Sequence, residues 1–226
     1  MHTNVRSGAA IALAALVVSG SACASLNKKE RGAIIGAGAG AVIGGAIGKH
    51  NGSTAKGAIV GAVIGGAAGA IIGHQMDQQA KELKQNIPGA VVERVGEGIQ
   101  VTFESGLLYD FNSDVVKGSA RSNLSTLAKS LEQYPKSNLL IVGHTDSVGT
   151  HAYNEDLSRR RAQAAANFLV AEGVDRSRLQ TMGLGETEPV NMANTESAHA
   201  QNRRVEVAIY ASPELVAEAR RKAGGN

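Results

Sequence analysis

Two glycine-spaced blocks constrain most strongly what this chain can fold into. Residues 32–48 and 57–73 carry a glycine at every fourth position, set among Ile, Val and Ala. The repeated positions are Gly32, Gly36, Gly40, Gly44 and Gly48, and then Gly57, Gly61, Gly65, Gly69 and Gly73. A spacing of four places every glycine on one face of a helix. Glycine in a helix interior costs about 1 kcal/mol relative to alanine, so close packing along that face must offset the cost.

The blocks resemble the glycine-zipper segments of bacterial envelope lipoproteins. Small residues at this spacing let two helix backbones approach closely inside a membrane. Each block has 17 residues, about 26 Å of helix at 1.5 Å per residue, which is short for a bilayer. We predict a membrane-associated helical hairpin over residues 32–73, turning at residues 49–56. A flexible low-complexity linker, or a hairpin that oligomerises without spanning, are the alternatives.

The N-terminus has the pattern of a secretory signal. Arg6 precedes an apolar run at residues 9–18, and the small residues 19–22 follow. This order of a basic, an apolar and a small-residue region predicts a signal peptide at residues 1–22.

Cys23 is the only cysteine in the sequence, which excludes an intramolecular disulfide. Its position resembles a bacterial lipoprotein cleavage site, although Gly20 stands where that family usually has Leu. The resemblance implies a lipid on Cys23 and a lipidated N-terminus over residues 23–31. Ala24 and Ser25 carry no acidic retention signal, which favours the outer membrane. An ordinary signal peptide with a chance cysteine is the alternative.

Composition argues against several functions. The net charge of +3 is spread along the chain, aromatic residues make up 3%, and there is no Trp. A basic stripe and stacking platforms for bases are therefore lacking, so we predict no nucleic-acid partner. The six His residues show no metal-ligand spacing, and we predict neither a metal nor a cofactor.

The sequence changes to a globular pattern after Pro88 and Gly89. Residues 74–90 are polar and helix-favouring and are interpreted as a linker. Beyond them we predict an α+β domain over residues 91–212 and a short helical tail over 213–226. The predicted elements are a hairpin at 91–94 and 99–103, a helix within 113–135 capped by Ser113 or Asp114, a strand at 138–144, a helix at 154–173, and strands at 178–185 and 203–210.

Three consecutive arginines on the second helix differ in their surroundings. Arg159 and Arg160 each follow an acid by four residues, the favourable order on a solvated helix face. Arg161 lies on the apolar side with no acid within helical reach. A buried, unpaired guanidinium is very costly, so Arg161 needs a carboxylate from elsewhere in the fold or from a ligand.

The last strand raises a similar question. Arg203 shares the alternation of Val205 and Val207, which predicts that it faces the core side, whereas Arg204 and Glu206 face water.

Asp146 follows a buried strand at its C-terminal end, where binding sites tend to form. One carboxylate and one or two arginines suit a zwitterion, with Asp146 for an ammonium and Arg161 for a carboxylate. From spacing alone, an internal salt bridge between Asp146 and Arg161 is equally open.

The stretch "GHTDSVGTHAYNEDLSRRRA", followed by "GLGETEPV" and "NRRVEV", resembles the OmpA-like C-terminal domain over residues 98–212. The resemblance implies a β-α-β-α-β-β sandwich that binds peptidoglycan non-covalently. In that family the HTD aspartate, here Asp146, holds the ammonium of meso-diaminopimelate, and the later arginine, here Arg161, holds the adjacent carboxylate. Further positions that match the family's site are Thr145, Asn154, Asn112 and Arg203. Ala198 and His199 depart from the family's usual Gly-Arg.

These observations predict a non-enzymatic outer-membrane lipoprotein with a periplasmic wall-binding domain. Its expected partners are peptidoglycan and outer-membrane lipid. Ser147 or Ser158 beside His144 and Asp146 would suit a hydrolase, but there is no nucleophile elbow. One alternative is a scaffold that forms homo-oligomers through its glycine repeats. Another is a protein-binding module in which the Asp146–Arg161 pair is structural.

Overall fold

The computed structural model describes residues 53–110 and 112–224. The predicted signal peptide, Cys23 and the first glycine block lie outside the described residues. All described residues belong to one compact unit.

Within the described residues, seven helices surround a five-stranded sheet. The helices are α1 (Thr54–Gly61), α2 (Gly66–Asn86), α3 (Ser105–Leu108), α4 (Arg121–Gln133), α5 (His151–Ala171), α6 (Glu196–Asn202) and α7 (Pro213–Gly224). The strands are β1 (Ala90–Val95), β2 (Gly98–Glu104), β3 (Ser137–Gly143), β4 (Leu179–Gly183) and β5 (Arg204–Ala211). Their order in the sheet is β1-β2-β5-β3-β4.

The sheet has the predicted topology with one added strand. β2, α4, β3, α5, β4 and β5 follow one another as β-α-β-α-β-β, and β1 joins the edge through a hairpin. The hairpin turns where predicted, since Val95 pairs with Gly98. β3 and β4 are parallel, and the other neighbours are antiparallel. The α+β fold class is confirmed.

One face of the sheet packs against α2, α4 and α5. Leu124, Leu127 and Leu131 recur at helical spacing on α4 and are all buried, as the periodicity predicts. They meet Val101 and Val207 of the central strands in the main core.

The other face is covered by α1, which the sequence did not indicate. Ala58 and Ile59 of α1 pack against Leu140 and Tyr210. Because both faces are covered, every residue of β5 is buried. The alternation of buried and solvated side chains expected for a one-sided sheet therefore fails here.

The prediction that Arg204 and Glu206 face water is wrong. Each is 2% exposed, and Arg204 Nε donates to Glu206 Oε1 at 2.8 Å. Ser53, directly before α1, donates its hydroxyl to Glu206 Oε2 at 2.7 Å. The segment that covers this face therefore also donates a hydrogen bond to the buried Glu206 carboxylate.

The prediction of one continuous helical arm over residues 57–73 is also wrong. α1 ends at Gly61 and α2 begins at Gly66. Gly65 and Gly66 have φ of 67° and 64°, in the left-handed region that glycine adopts readily. The Glu97 carboxylate accepts the N–H groups of Ile64 at 2.7 Å and Gly65 at 2.9 Å. The second glycine block therefore wraps around the end of the β1–β2 hairpin.

Among the helices that the structure describes, none is both long and apolar enough to cross a membrane. The apolar residues of the second block are used inside the domain instead. Ile59 is buried on one face of the sheet, and Ile72 is buried on the other.

Interpreting residues 74–90 as a linker does not agree with the packing. α2 continues to Asn86, and its Met76, Gln79 and Leu83 are buried. The predicted tail is likewise part of the domain, because Leu215 and Ala219 of α7 are buried in the same core. The folded unit extends on both sides of the predicted 91–212.

The first helix of the predicted domain begins later than expected. α4 starts at Arg121, so neither Ser113 nor Asp114 caps it. Ser113 Oγ accepts the N–H of Val115 at 3.1 Å in a local turn. Asp114 pairs with Arg160 at 2.9 Å instead.

Candidate functional site

The site lies where the C-terminal end of β3 meets α5. β3 ends at Gly143, and a Cβ there would lie 2.1 Å from the Ser158 carbonyl oxygen of α5. The absence of a side chain lets α5 pack directly on the strand end. This contact brings Arg161, one turn beyond Ser158, to the same end of the domain as Asp146.

Asp146 is held by its own loop and by one arginine. Its Oδ1 accepts the N–H of Val148 at 3.0 Å, and its Oδ2 accepts Arg203 Nη1 at 2.6 Å. Its side chain is 10% exposed. Thr145 Oγ1 and Asn154 Nδ2 donate to the Asp146 carbonyl at 2.9 and 3.3 Å. These bonds orient the carboxylate toward Arg203.

The internal salt bridge between Asp146 and Arg161 is not formed. The ion-pair partner of Asp146 is Arg203, which also donates from Nη2 to Glu196 Oε1 at 2.6 Å. Partial burial lowers the pKa of Arg203, but the bonds to Glu196 and Asp146 outweigh it and leave that pKa raised. Arg203 therefore ties the Asp146 loop to α6.

Arg161 is buried, as its helical position predicts. The residue is 4% exposed. Its Nε donates to the Ser113 carbonyl at 2.9 Å and its Nη2 to the Asp110 carbonyl at 3.5 Å. Its guanidinium carbon lies 5.3 Å from the ring centroid of Tyr109, at cation–π distance. Burial lowers the pKa of Arg161.

Among the described residues, no carboxylate lies within 4 Å of Arg161. The guanidinium thus has carbonyl partners and an aromatic ring but no carboxylate in contact; the charge of Asp114 acts on it only from a greater distance. Removing a cation from water without a counter-charge is expensive. Such a cation attracts an anionic group from a ligand.

Asn112 lies beside this arginine in the chain segment that supplies its partners. Its φ is 54°, an uncommon conformation for a residue other than glycine. Its Oδ1 accepts a hydrogen bond from the Tyr153 hydroxyl.

Arg161 and Arg203 are close enough for their charges to interact. Besides burial, the positive charge of Arg203 contributes to lowering the pKa of Arg161.

The predicted site residues therefore fall into two adjoining groups. One group joins Asp146, Thr145, Asn154 and Arg203. The other joins Arg161 with the segment of Asn112. We refer to these six residues together as the charged site.

Sequence reasoning missed Tyr109 and Glu196 beside the charged site, and it noted His199 only as a departure from the family's pattern. Tyr109 lies against Arg161 and donates its hydroxyl to the Arg161 carbonyl at 2.6 Å. Glu196 and His199 lie on α6, which was not predicted. The seven-residue spacing of Glu196 and Arg203, two turns of a helix, was the available signal.

Comparisons with known proteins agree with this architecture. Residues 108–203 match the OmpA family, and residues 1–77 match the YMGG-like Gly-zipper. The chain is 37% identical over 210 residues to the probable lipoprotein YiaD of Escherichia coli, covering 89% of this chain and 95% of that protein. It is 35% identical over 125 residues to a peptidoglycan-associated lipoprotein of Mesorhizobium japonicum, covering 55% and 74%.

Among solved structures, the chain resembles the cell wall anchor of the T6SS from Pseudomonas aeruginosa. The TM-score is 0.54 at 31% identity, covering 59% of this chain and 97% of that one. The fold and these matches thus define an OmpA-like domain. The chain belongs to the OmpA family, in a form that carries a YMGG-like Gly-zipper segment ahead of that domain.

Proposed function

We propose that the charged site binds peptidoglycan non-covalently by holding meso-diaminopimelate, and that the protein links the outer membrane to the cell wall. Two of the similar proteins are described as a peptidoglycan-associated lipoprotein and a cell wall anchor. Those descriptions support a wall ligand. The choice of diaminopimelate rests on the chemistry of the charged site.

The observation that carries the proposal is the buried Arg161 without a carboxylate partner among the described residues. The side chain of meso-diaminopimelate ends in an ammonium and a carboxylate on one carbon. A carboxylate can accept two parallel N–H bonds from a guanidinium, which adds both strength and geometric selectivity. Arg161 is the residue that binds that carboxylate.

Asp146 takes the neighbouring ammonium. Its carboxylate is already held in place by Val148 and Arg203, so no reorganisation is needed on binding. A carboxylate has about four lone-pair sites, which leaves room for the ammonium beside Arg203. Glu196 keeps Arg203 paired throughout.

The membrane end of the link is proposed from the sequence. A lipid on Cys23 is one membrane anchor, but a single acyl chain anchors a protein only marginally. The apolar first glycine block, residues 32–48, supplies a second signal. Homo-oligomers built through both glycine blocks would require α1 and α2 to leave the domain, which disfavours the scaffold alternative.

Co-sedimentation with purified sacculi tests the proposal. The full chain in detergent is compared with Asp146→Asn, Arg161→Gln and a matched control, Arg178→Gln. Arg178 donates to the carbonyls of Ser137, Leu131 and Tyr134 at 2.7 to 3.0 Å and lies outside the charged site.

We expect the wild type and Arg178→Gln to pellet with sacculi. Arg161→Gln and Asp146→Asn should bind at least about tenfold more weakly, as for loss of a charge-assisted hydrogen bond. Circular dichroism shows whether each variant is folded. Equal binding by folded Arg161→Gln and wild type would refute the proposal.

A further inference from the structure

The side chain of His199 lies against the charged site without a hydrogen bond to it. The side chain is 15% exposed and sits on α6, between Glu196 and Arg203 in the chain. Its Nδ1 is 3.9 Å from Asp146 Oδ2. Its Nε2 is 3.1 Å from Asn194 Oδ1. The imidazole therefore spans from the Asn194 loop to the carboxylate of the charged site.

The contact with Asn194 determines how the ring presents itself to Asp146. An amide oxygen only accepts hydrogen bonds, so Nε2 must carry the ring proton. In the neutral ring Nδ1 is then an acceptor. Two acceptors face each other at 3.9 Å, which is too far for a direct hydrogen bond. An N–H donor placed between them would satisfy both.

We propose that His199 is a further ligand-binding residue of the charged site. Neutral Nδ1 and the Asp146 carboxylate together accept N–H bonds from the ligand ammonium, and protonation of His199 weakens binding. An ammonium has three N–H donors, so it can serve both acceptors at once. This inference rests on the proposed function, because it concerns the same ligand.

The charged groups around the ring determine the sign of the effect. Asp146 faces it from the loop after β3, and Arg203 follows it at the end of α6. Arg203 is already shared between Asp146 and Glu196, so its charge is balanced. Protonated His199 would donate from Nδ1 to Asp146 and place a second cation beside the ammonium. The ligand would then lose an acceptor and meet a like charge.

The test measures the affinity of the full chain for purified sacculi between pH 5.5 and pH 7.5. Histidines ordinarily change charge in this range. The variant is His199→Gln, which keeps a polar side chain that does not titrate. The matched control is His74→Gln, on the exposed face of α2, where the His74 ring forms a hydrogen bond with Gln78 at 3.1 Å.

We expect wild type and His74→Gln to bind about fivefold more weakly at pH 5.5 than at pH 7.5, and His199→Gln to change less than twofold. An unchanged wild-type affinity, or the same pH dependence in His199→Gln, would overturn the inference while leaving the proposed function intact. Failure of the wild type to bind at any pH would instead overturn the proposed function.

Discussion

Buried charges on the two faces of the sheet are satisfied differently. Arg204 and Glu206 form a buried pair, and the remaining bonding capacity is taken up by Glu188 and Ser53. A pair completed in this way stabilises one arrangement of the fold, although its net contribution to stability is small. Arg161 has no comparable carboxylate partner in the part of the chain that the structure describes. The proposed ligand role of Arg161 rests on this contrast.

The buried His144 predicts how stability depends on pH. The side chain is 1% exposed, and neither ring nitrogen has a hydrogen-bond partner in the described structure. Burial and the charge of Arg204 lower its pKa well below the usual value. The unfolded chain therefore binds the proton more readily than the folded chain. The stability from the neutral ring is complete above about pH 6.5 and is lost as the pH falls below it.

We expect the free energy of unfolding of the wild type to be about 1.4 kcal/mol lower at pH 5.5 than at pH 7.5 from this group alone. Urea unfolding at both pH values measures the difference. His144→Gln should remove this part of the pH dependence, and His74→Gln should retain it. The explanation fails if His144→Gln shows the full wild-type decrease.

At the scale of single residues, the sequence predicted positions within one helix but not contacts between residues that are far apart in the chain. The position of Arg161 on the apolar side follows from spacing within one helix, and the structure confirms it. The partner of Asp146 did not follow, because Arg203 lies 57 residues away. Its position depends on α6, a short helix whose apolar pattern is weak.

At the scale of elements, the glycines of the second block have unlike roles. Gly65 occupies a left-handed turn with open space where a Cβ would be. Gly73 lies inside α2, where the nearest atom to an added Cβ is Arg94 Nη2 at 3.9 Å. The first glycine is required by backbone conformation, and the second is not required by the domain.

Two alanine substitutions distinguish these roles. Gly65→Ala should lower the free energy of unfolding by about 1 to 3 kcal/mol, since Gly65, at φ 67° and ψ 176°, occupies a backbone region that is essentially reserved for glycine. Gly73→Ala should raise it by about 0.5 to 1 kcal/mol through helix propensity. Urea unfolding of the two full-chain variants gives both values. Equal destabilisation by the two would instead indicate a uniform packing face.

The glycine spacing predicted helices correctly but not their interruption. The break at residues 62–65 depends on Glu97, whose carboxylate reaches the chain from the β1–β2 turn. A periodic pattern carries no information about such a contact. The alternation of β5 failed for a related reason, because α1 covers the face that was expected to meet water.

At the scale of the whole molecule, the domain is larger than its sequence motifs. The motifs extend over residues 98–212, which was enough to predict the fold class and the order of strands. They do not include α1 and α2, although Ile59, Ile72 and Met76 are fully buried against the sheet and its helices. The apolar character of Ile59 and Ile72 was interpreted as a membrane signal, since lipid and a protein core select the same side chains, and Met76 was assigned to the linker.

A truncation tests the enlarged domain. A chain beginning at residue 53 retains α1 and α2, and a chain beginning at residue 90 lacks both. We expect the shorter chain to lose more than about 5 kcal/mol of unfolding free energy, comparable to the whole stability of many domains. Urea unfolding followed by circular dichroism compares them. Equal stability would mean that the two helices are only loosely attached.

The central claim is that Arg161, which has no carboxylate in contact among the described residues, receives a ligand carboxylate. The most direct measurement is titration of the full chain with two stem peptides that differ only in carrying meso-diaminopimelate or lysine, and hence by one carboxylate. We predict that the wild type and Arg178→Gln prefer the diaminopimelate peptide by at least about tenfold. Arg161→Gln should lose that preference. Equal affinity of the wild type for the two peptides would contradict the account.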